Sequence, residues 1–277
     1  MKIVRSLLTG MALTAVSISS AHAFSVTNYW AGGSYQYELT ADGGTIYRSN
    51  GSSTINKYDK DGNSLGSFTA GRSRSLGAAG GKMVTKYGTG LQLWDLGTET
   101  LAASVTTTSG RNHGLAYDPV GNRAFFGTAT GYVDWYDFDT DTNGTLGFIG
   151  NPDGSSHYFE DLEVAGGFLW VVDGHDSDIL KFTLDGSYIG KETTNAGLHI
   201  EGFGYDETTA SFWAHSYYTP DFGPNNGQRG YYVQELGGFT KIKPPAPPTT
   251  SVPEPTSLAL MGLGFVALGG FRKKRNV

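Results

Sequence analysis

Short runs of alternating apolar and polar residues, separated by tight turns, fill the middle of the chain. The clearest example is Leu115–Phe126, in which the turn Asp118-Pro119-Val120-Gly121-Asn122 separates two such runs. Similar segments open at five positions that lie 37, 39, 47 and 41 residues apart: Leu39, Leu76, Leu115, Leu162 and Phe203. Alternation with a period of two is typical of strands with one buried face, so each segment predicts two strands joined by a turn.

A third strand with an aromatic residue follows in every copy, and several copies add a fourth. The third strands are predicted at Ile55–Asp59, Leu91–Asp95, Val133–Asp137, Ile179–Phe182 and Tyr231–Leu236. Four short strands in about 40 to 50 residues is the pattern of a β-propeller blade. We therefore expect an all-β propeller of five blades, or of six if residues 24–37 complete a further blade with the last strands. A β-sandwich of about ten strands is the alternative. The stretch Val171–Gly186 resembles a blade of the NHL or YVTN-type propellers, which implies a fold and no activity.

The amino-acid composition fits a chain of many short strands, and it excludes several kinds of covalent link, metal site and catalytic group. The chain has 277 residues, of which 41 are Gly and 36 are aromatic, and it has no Cys. Disulfides, zinc–thiolate sites, iron–sulfur clusters and a cysteine nucleophile are therefore excluded. Residues 24–253 contain 14 basic and 25 acidic residues. This acidic balance argues against a protein that binds nucleic-acid phosphates.

The first 23 residues have the three parts of a secretory signal peptide. Lys2 and Arg5 give a positive start, and Leu7–Ile18 is a short apolar stretch. Ala21-His22-Ala23 then supplies the small residues, Ala21 and Ala23, that a signal peptidase requires. We expect cleavage after Ala23, so that the mature chain starts at Phe24.

The other end of the chain has three parts in a fixed order. A Pro-rich linker at 244–252 precedes Pro253-Glu254-Pro255, an apolar stretch at Leu258–Phe271 and the basic cluster Arg272-Lys273-Lys274-Arg275. The apolar stretch predicts a short transmembrane helix, and the basic cluster would stay on the cytoplasmic side. We expect a propeller domain at 24–243 and a sorting segment at 253–277.

This tripartite end resembles the PEP-CTERM sorting signal of Gram-negative bacteria. The resemblance implies recognition by a membrane exosortase, an inner-membrane intermediate, and delivery to the cell surface or beyond. It also implies an association with extracellular polysaccharide, and it implies no catalytic activity.

Aligned copies place polar residues two positions before four of the five opening residues. These are Arg74, His113, Glu160 and Glu201, with His157 and His199 just upstream. On a propeller they would surround one end of the central channel, where they could hold a metal ion or position a base. An ordinary solvated channel end is the simpler interpretation. A second ring, expected at a water-filled face, consists of Arg48, Lys86, Asp173 and His215.

Two further features are candidates for binding. Asp139, Asp141 and Asn143, followed by Gly144, match the first positions of a calcium loop, although Gly150 replaces the usual final Glu. Calcium is therefore the one cofactor that the sequence suggests, and an ordinary Asp/Asn/Gly turn is the alternative. Tyr217 and Tyr218 open a Gly-, Asn- and Pro-rich segment, from which they could stack on sugar rings.

Taken together, these patterns predict an exported, non-enzymatic surface or matrix protein that binds polysaccharide or protein through one propeller face. The alternative is a metal-dependent hydrolase, similar to propeller lactonases, with His113, Glu160 and Glu201 at the channel end. A structural spacer without a ligand is a third possibility, and the fold does not choose among the three.

Overall fold

The computed structural model describes residues 25–33, 38–110, 113–150, 159–173, 178–193, 199–217 and 231–237. Twenty strands in these ranges form five antiparallel sheets of four strands each. The innermost strands of neighbouring sheets contact one another in a closed ring. The predicted all-β propeller is confirmed, and it has five blades.

The first four blades are each a meander of four consecutive strands. Blade 1 comprises β2 (Glu38–Asp42), β3 (Thr45–Ser49), β4 (Thr54–Tyr58) and β5 (Ser64–Thr69). Blade 2 comprises β6 (Ser75–Ala79), β7 (Lys82–Tyr87), β8 (Gly90–Asp95) and β9 (Thr100–Thr106). Blade 3 comprises β10 (His113–Asp118), β11 (Arg123–Gly127), β12 (Tyr132–Asp137) and β13 (Thr142–Phe148). Blade 4 comprises β14 (Phe159–Ala165), β15 (Phe168–Asp173), β16 (Asp178–Thr183) and β17 (Tyr188–Thr193).

Blade 5 is assembled from both ends of the propeller. Its inner strands are β18 (His199–Asp206), β19 (Ser211–Tyr217) and β20 (Tyr231–Gly237), and its outer strand is β1 (Ser25–Gly33). The strands β1 and β20 are antiparallel, with Ser25 opposite Gly237. The first strand therefore supplies the strand that blade 5 lacks and does not start a sixth blade. This pairing closes the ring.

The opening residues of the five copies occupy equivalent buried positions in the innermost strands. Leu39, Leu76, Leu115, Leu162 and Phe203 are all buried in apolar clusters between neighbouring blades. Neighbouring inner strands approach so closely that glycine is required at some positions. A Cβ on Gly77 would lie 2.5 Å from the Leu115 carbonyl oxygen, and one on Gly204 would lie 2.5 Å from the Ala41 nitrogen.

The propeller has two ends, which we name by the innermost strands. At the mouth the innermost strands begin, and at the far end they turn back into the second strands. Far-end turns such as Gly43-Gly44 have two residues at positive φ, 60° and 80°, as a tight two-residue hairpin requires. Asp42 accepts the Gly81 N–H (2.9 Å) and Asp206 accepts the Gly44 N–H (3.3 Å). Each bond fastens one blade to the next.

The chain divides into two units, Met1–Ile242 and Lys243–Val277. The predicted signal peptide, linker and sorting helix lie outside the described residues, and their boundaries stay predictions. Within the ranges that the structure describes, no helix is long and apolar enough to cross a membrane.

Candidate functional site

The innermost strands of blades 3, 4 and 5 are each interrupted by a bulge at the mouth. In β14, Phe159 pairs with Asp173 and Asp161 with Val172, so that the register skips Glu160. The registers of β10 and β18 skip Gly114 and Glu201 in the same way. A bulge bends its strand and redirects the extra side chain. The two carboxyl groups predicted from the sequence, Glu160 and Glu201, therefore lie on equivalent bulges of adjacent blades.

A buried carboxylate holds the backbone next to all three bulges. Asp161 Oδ1 accepts the N–H groups of Leu115 (3.3 Å) and Leu162 (2.8 Å). Asp161 Oδ2 accepts the N–H group of Phe203 (2.7 Å). These donors belong to blades 3, 4 and 5 and follow the bulges within two residues. Asp161 thus fixes the backbone that presents Glu160 and Glu201.

Glu38 connects blade 1 to the same group. It is 5% exposed, and a hydrogen bond joins its carboxyl group to that of Asp161. Burial raises the pKa of Glu38, and the charges of Asp161, Glu160 and Glu201 raise it further. Glu38 therefore carries the proton, and Asp161, which already accepts three N–H groups, accepts the bond from it.

A second buried tie lies one pleat further from the mouth. Glu163 accepts the Val164 N–H (2.8 Å) and the Thr40 hydroxyl (3.4 Å), and Thr40 accepts the Ala78 N–H (2.8 Å). Burial raises the pKa of Glu163 well above its ordinary value. The inward-pointing side chains below the mouth are thus closed to solvent and bonded across blades.

Sequence reasoning missed Asp161 and Glu38 because it considered only the position two residues before each opening residue. One residue before the opening, the five copies have Glu38, Ser75, Gly114, Asp161 and Gly202. Two carboxyl groups at an inward position of the most buried strand are the signal that could have revealed them.

The two bulge glutamates are half-buried and electrostatically coupled. The pKa of Glu160 is raised to about 7, first by burial and then by the charge of Glu201. Burial also raises the pKa of Glu201 to about 7. Both groups therefore exchange protons near neutral pH, as general acids and bases do.

Imidazole groups flank this pair on both sides. Burial lowers the pKa of His113 in β10, and the nearby Arg74 lowers it further. In β19, His215 is fully buried, its Nδ1 lies 4.0 Å from Glu201 Oε2, and its ring stacks on Tyr231. His157 and the side chain of His199 lie outside the described residues.

The second ring is not a water-filled face, contrary to the expectation from the sequence. Its members are all buried: Arg48, Lys86, Asp173 and His215. They lie at the ends of second strands, where neighbouring blades cover both faces. Lys86 Nζ donates to Gly88 O (2.6 Å), Thr107 Oγ1 (3.1 Å) and Ser109 O (2.9 Å), so that its charge is solvated by the protein. Burial lowers its pKa to about 8.

Two side chains of the predicted calcium turn, those of Asp139 and Asp141, already have protein partners. Asp139 accepts the Asn122 amide (2.6 Å), Asp141 accepts the Tyr136 hydroxyl, and Asn143 lies in strand β13. Nowhere in the described ranges do three or more His, Asp or Glu side chains group as a metal ion requires. Calcium binding by this turn stays a prediction.

Aromatic side chains are exposed at the mouth end of two blades. Tyr132 is 45% exposed and Phe148 is 61% exposed, and their ring centroids are 5.5 Å apart. Tyr87, which is 40% exposed, ends β7 and lies under the guanidinium of Arg72 (4.4 Å). From the sequence, Tyr217 and Tyr218 were chosen instead. The side chain of Tyr217 and the whole of Tyr218 lie outside the described residues. Sequence reasoning missed Tyr132 and Phe148 because the third strand of this copy was predicted at Val133–Asp137, which leaves both rings outside it.

The five four-stranded sheets define the class of protein, a five-bladed β-propeller. The structure is similar to that of a glutaminyl cyclase from Myxococcus xanthus, with a TM-score of 0.58 and 13% identity over 78% of this chain and 98% of that one. It is also similar to a calcium-binding protein, regucalcin, from Agrobacterium tumefaciens, with a TM-score of 0.44 and 12% identity over 76% and 94% of the chains. A streptogramin B lyase gives a TM-score of 0.44 and 10% identity over 71% and 67%. At such low identity the first likeness shows the fold alone.

Sequence comparison identifies the signal at the end of the chain. Residues 251–275 match the PEP-CTERM protein-sorting motif, as predicted. No curated protein matches the chain. The protein is thus a β-propeller that carries a PEP-CTERM motif. Export to the cell surface and processing by an exosortase follow from that motif.

Proposed function

We propose that this exported propeller binds extracellular polysaccharide through its mouth face. The observation that carries the proposal is the exposed ring pair of Tyr132 and Phe148 at the mouth end of blade 3. Large aromatic surfaces are costly to leave in water unless a partner covers them. The C–H face of a sugar ring is such a partner, because it is apolar with polar edges that stay hydrated.

Polar groups next to these rings suit the hydroxyl groups of a sugar. Thr128 and Thr130 lie in the turn before Tyr132, with their hydroxyl oxygens 3.1 Å apart. The pair of Arg72 and Tyr87 on blade 2 offers a second ring together with hydrogen-bond donors. Strand β19 ends at Tyr217 on the mouth side of blade 5, and in this proposal Tyr217 and Tyr218 would extend the binding surface.

Co-sedimentation with the producing cell's own extracellular polysaccharide tests the proposal. We expect saturable binding that the double variant Tyr132→Ala/Phe148→Ala weakens at least about tenfold, the equivalent of about 1.4 kcal/mol. Leu65→Ala/Leu101→Ala is the matched control, because these side chains are 50% and 46% exposed and lie at the far end. Equal loss in both variants, or no binding at all, would contradict glycan binding by the mouth and leave a protein partner as the better explanation.

Before release, the chain is proposed to pass through an inner-membrane intermediate held by residues 253–277. An exosortase would then cut near Pro253-Glu254-Pro255, while Arg272-Lys273-Lys274-Arg275 stay on the cytoplasmic side. Substituting the three motif residues by Ala should leave a full-length, membrane-associated form, which immunoblotting of cell fractions detects. Normal release of such a variant would contradict the intermediate.

A second candidate, hydrolysis at the mouth, is favoured by one observation. Glu160 and Glu201 lie on adjacent bulges, with pKa values of about 7. One protonated and one ionised carboxyl group can give and take a proton at the same substrate, with His113 nearby. Assays on lactones and glycosides should then show activity that Glu160→Gln or Glu201→Gln abolishes. Activity unchanged in both variants would exclude this role. A loss of activity on chelation would point to a metal-dependent reaction.

A further inference from the structure

Acidic and basic side chains at the mouth come from different blades. Blades 1, 4 and 5 contribute four carboxyl groups that act on one another, namely Glu38, Glu160, Asp161 and Glu201. Blades 2 and 3 contribute Arg74 and His113, whose interaction lowers the pKa of the imidazole. One side of the mouth is therefore acidic, and the opposite side is basic or neutral.

The floor of the acidic side keeps an acceptor that the protein does not use. Oε2 of Glu38 has no hydrogen-bond partner in the part of the chain that the structure describes, although the residue is 5% exposed. An uncompensated buried carboxyl oxygen is costly unless a donor reaches it. The half-buried Glu160 and Glu201 lie on the bulges beside it, where a ligand can touch them.

We propose that the acidic side of the mouth binds the ammonium group of an amino sugar in the polysaccharide. This inference rests on the proposed polysaccharide binding and names the sugar class. Glu160 and Glu201 would accept hydrogen bonds from the ammonium group. Beneath them, the protonated Glu38 would add Oε2 as a further acceptor.

The geometry suits an ammonium group better than a metal ion. Calcium takes six to eight oxygen ligands, and the described residues contain no group of three acidic or imidazole side chains arranged for a metal. An ammonium group has three N–H donors, so that two carboxylates and one sugar or water oxygen satisfy it. Charge-assisted bonds of this kind are the stronger ones.

Binding should release protons. Near pH 7 Glu160 and Glu201 are each about half protonated. A cation between them favours the ionised form, so protons leave as the ligand binds. The other charged and titratable groups at the borders of the site are Arg74, His113 and His215, which the variants below leave unchanged.

Isothermal titration of the full-length chain, kept soluble with a non-ionic detergent, tests the inference. The probes are a glucosamine oligomer and the N-acetylated oligomer of the same length. We expect the wild type to prefer the glucosamine oligomer by at least about tenfold, from two charge-assisted bonds. Glu160→Gln/Glu201→Gln should lose this preference and the proton release seen on repeating the titration in buffers of different ionisation enthalpy. Glu207→Gln, the same change on an exposed far-end turn, should keep both.

Equal affinity of the wild type for both oligomers, a preference that survives in the double variant, or no binding of the glucosamine oligomer would each overturn the inference. The proposed function is separable from it. If both oligomers bind with equal affinity and this binding depends on Tyr132 and Phe148, only the ammonium site is contradicted. An amine preference that is insensitive to those rings supports the ammonium site and sinks the aromatic surface.

Discussion

The far end and the mouth of the propeller use carboxyl groups in opposite ways. At the far end, Asp42 and Asp206 each accept an N–H group from the turn of the next blade. At the mouth, Glu160 and Glu201 are close enough for one charge to raise the pKa of the other. The far-end carboxyl groups thus make hydrogen bonds that join neighbouring blades. The surroundings of Glu160 and Glu201 disfavour the ionised forms of both carboxyl groups, which is typical of functional positions.

At the mouth, Asp161 joins blades through hydrogen bonds, as the aspartates of the far end do. Its substitution should have the largest effect on stability. Asp161→Asn leaves one amide oxygen where two carboxylate oxygens accept three backbone N–H groups. We expect the free energy of unfolding to fall by about 3 kcal/mol or more, because buried donors lose their acceptor. Urea unfolding measures this, and a loss below about 1 kcal/mol would show that Asp161 is not a structural centre.

The same substitution at the far end should be milder. Asp42 accepts the Gly81 N–H through Oδ2 and is also hydrogen-bonded to the backbone of Gly80. These adjacent N–H groups belong to one turn, so that a single asparagine oxygen can accept from both. Asp42→Asn should therefore cost about 1 kcal/mol or less. If its urea midpoint falls as far as that of Asp161→Asn, the contrast between the two ends is wrong.

The pH dependence of stability should come from the mouth. Because Glu160 and Glu201 have pKa values of about 7 in the folded protein, above the ordinary 4.5, folding favours their protonated forms. Their contribution is fully present below about pH 4.5 and is lost as the pH rises through 7. Glu160→Gln/Glu201→Gln should therefore be more stable than the wild type at pH 8 and similar at pH 4.5. Melting curves at both pH values decide, and parallel curves would mean that the glutamates are not held uncharged.

Calcium should have the smallest effect. If the turn containing Asp139, Asp141 and Asn143 binds calcium with the millimolar affinity of extracellular sites, 1 mM calcium adds only about 0.4 kcal/mol. Asp139→Ser should remove any rise in Tm produced by calcium and leave the mouth unaffected. A rise that persists in this variant would place the ion elsewhere.

Local patterns carried enough information to predict the blades but not the closure of the ring. The spacing of Leu39, Leu76, Leu115, Leu162 and Phe203 reflects strand periodicity and turns, which are local properties. The pairing of Ser25 with Gly237 joins residues at opposite ends of the domain. No local preference encodes it, and the sequence paired residues 24–37 with the last strands only in the alternative of a sixth blade.

The candidate site was predictable in part for a related reason. Aligned copies identified Glu160 and Glu201, because both occupy the same position of the repeat. The alternation of a strand could not indicate that bulges redirect them. The burial of Asp161 could not be predicted from the sequence either, because three blades must meet to enclose this side chain.

The register of β1 with β20 also determines how the propeller responds to tension. Ser25 and Gly237 lie side by side at the far end, so that pulling them apart loads the hydrogen bonds between the strands one after another. Such unzipping needs much less force than shearing all the bonds at once. A chain held at both ends, by leader and by tail, would be mechanically weak at this seam. When force acts on one end of the chain alone, the pair of Ser25 and Gly237 is not pulled apart, and the contact between β1 and β20 carries no load.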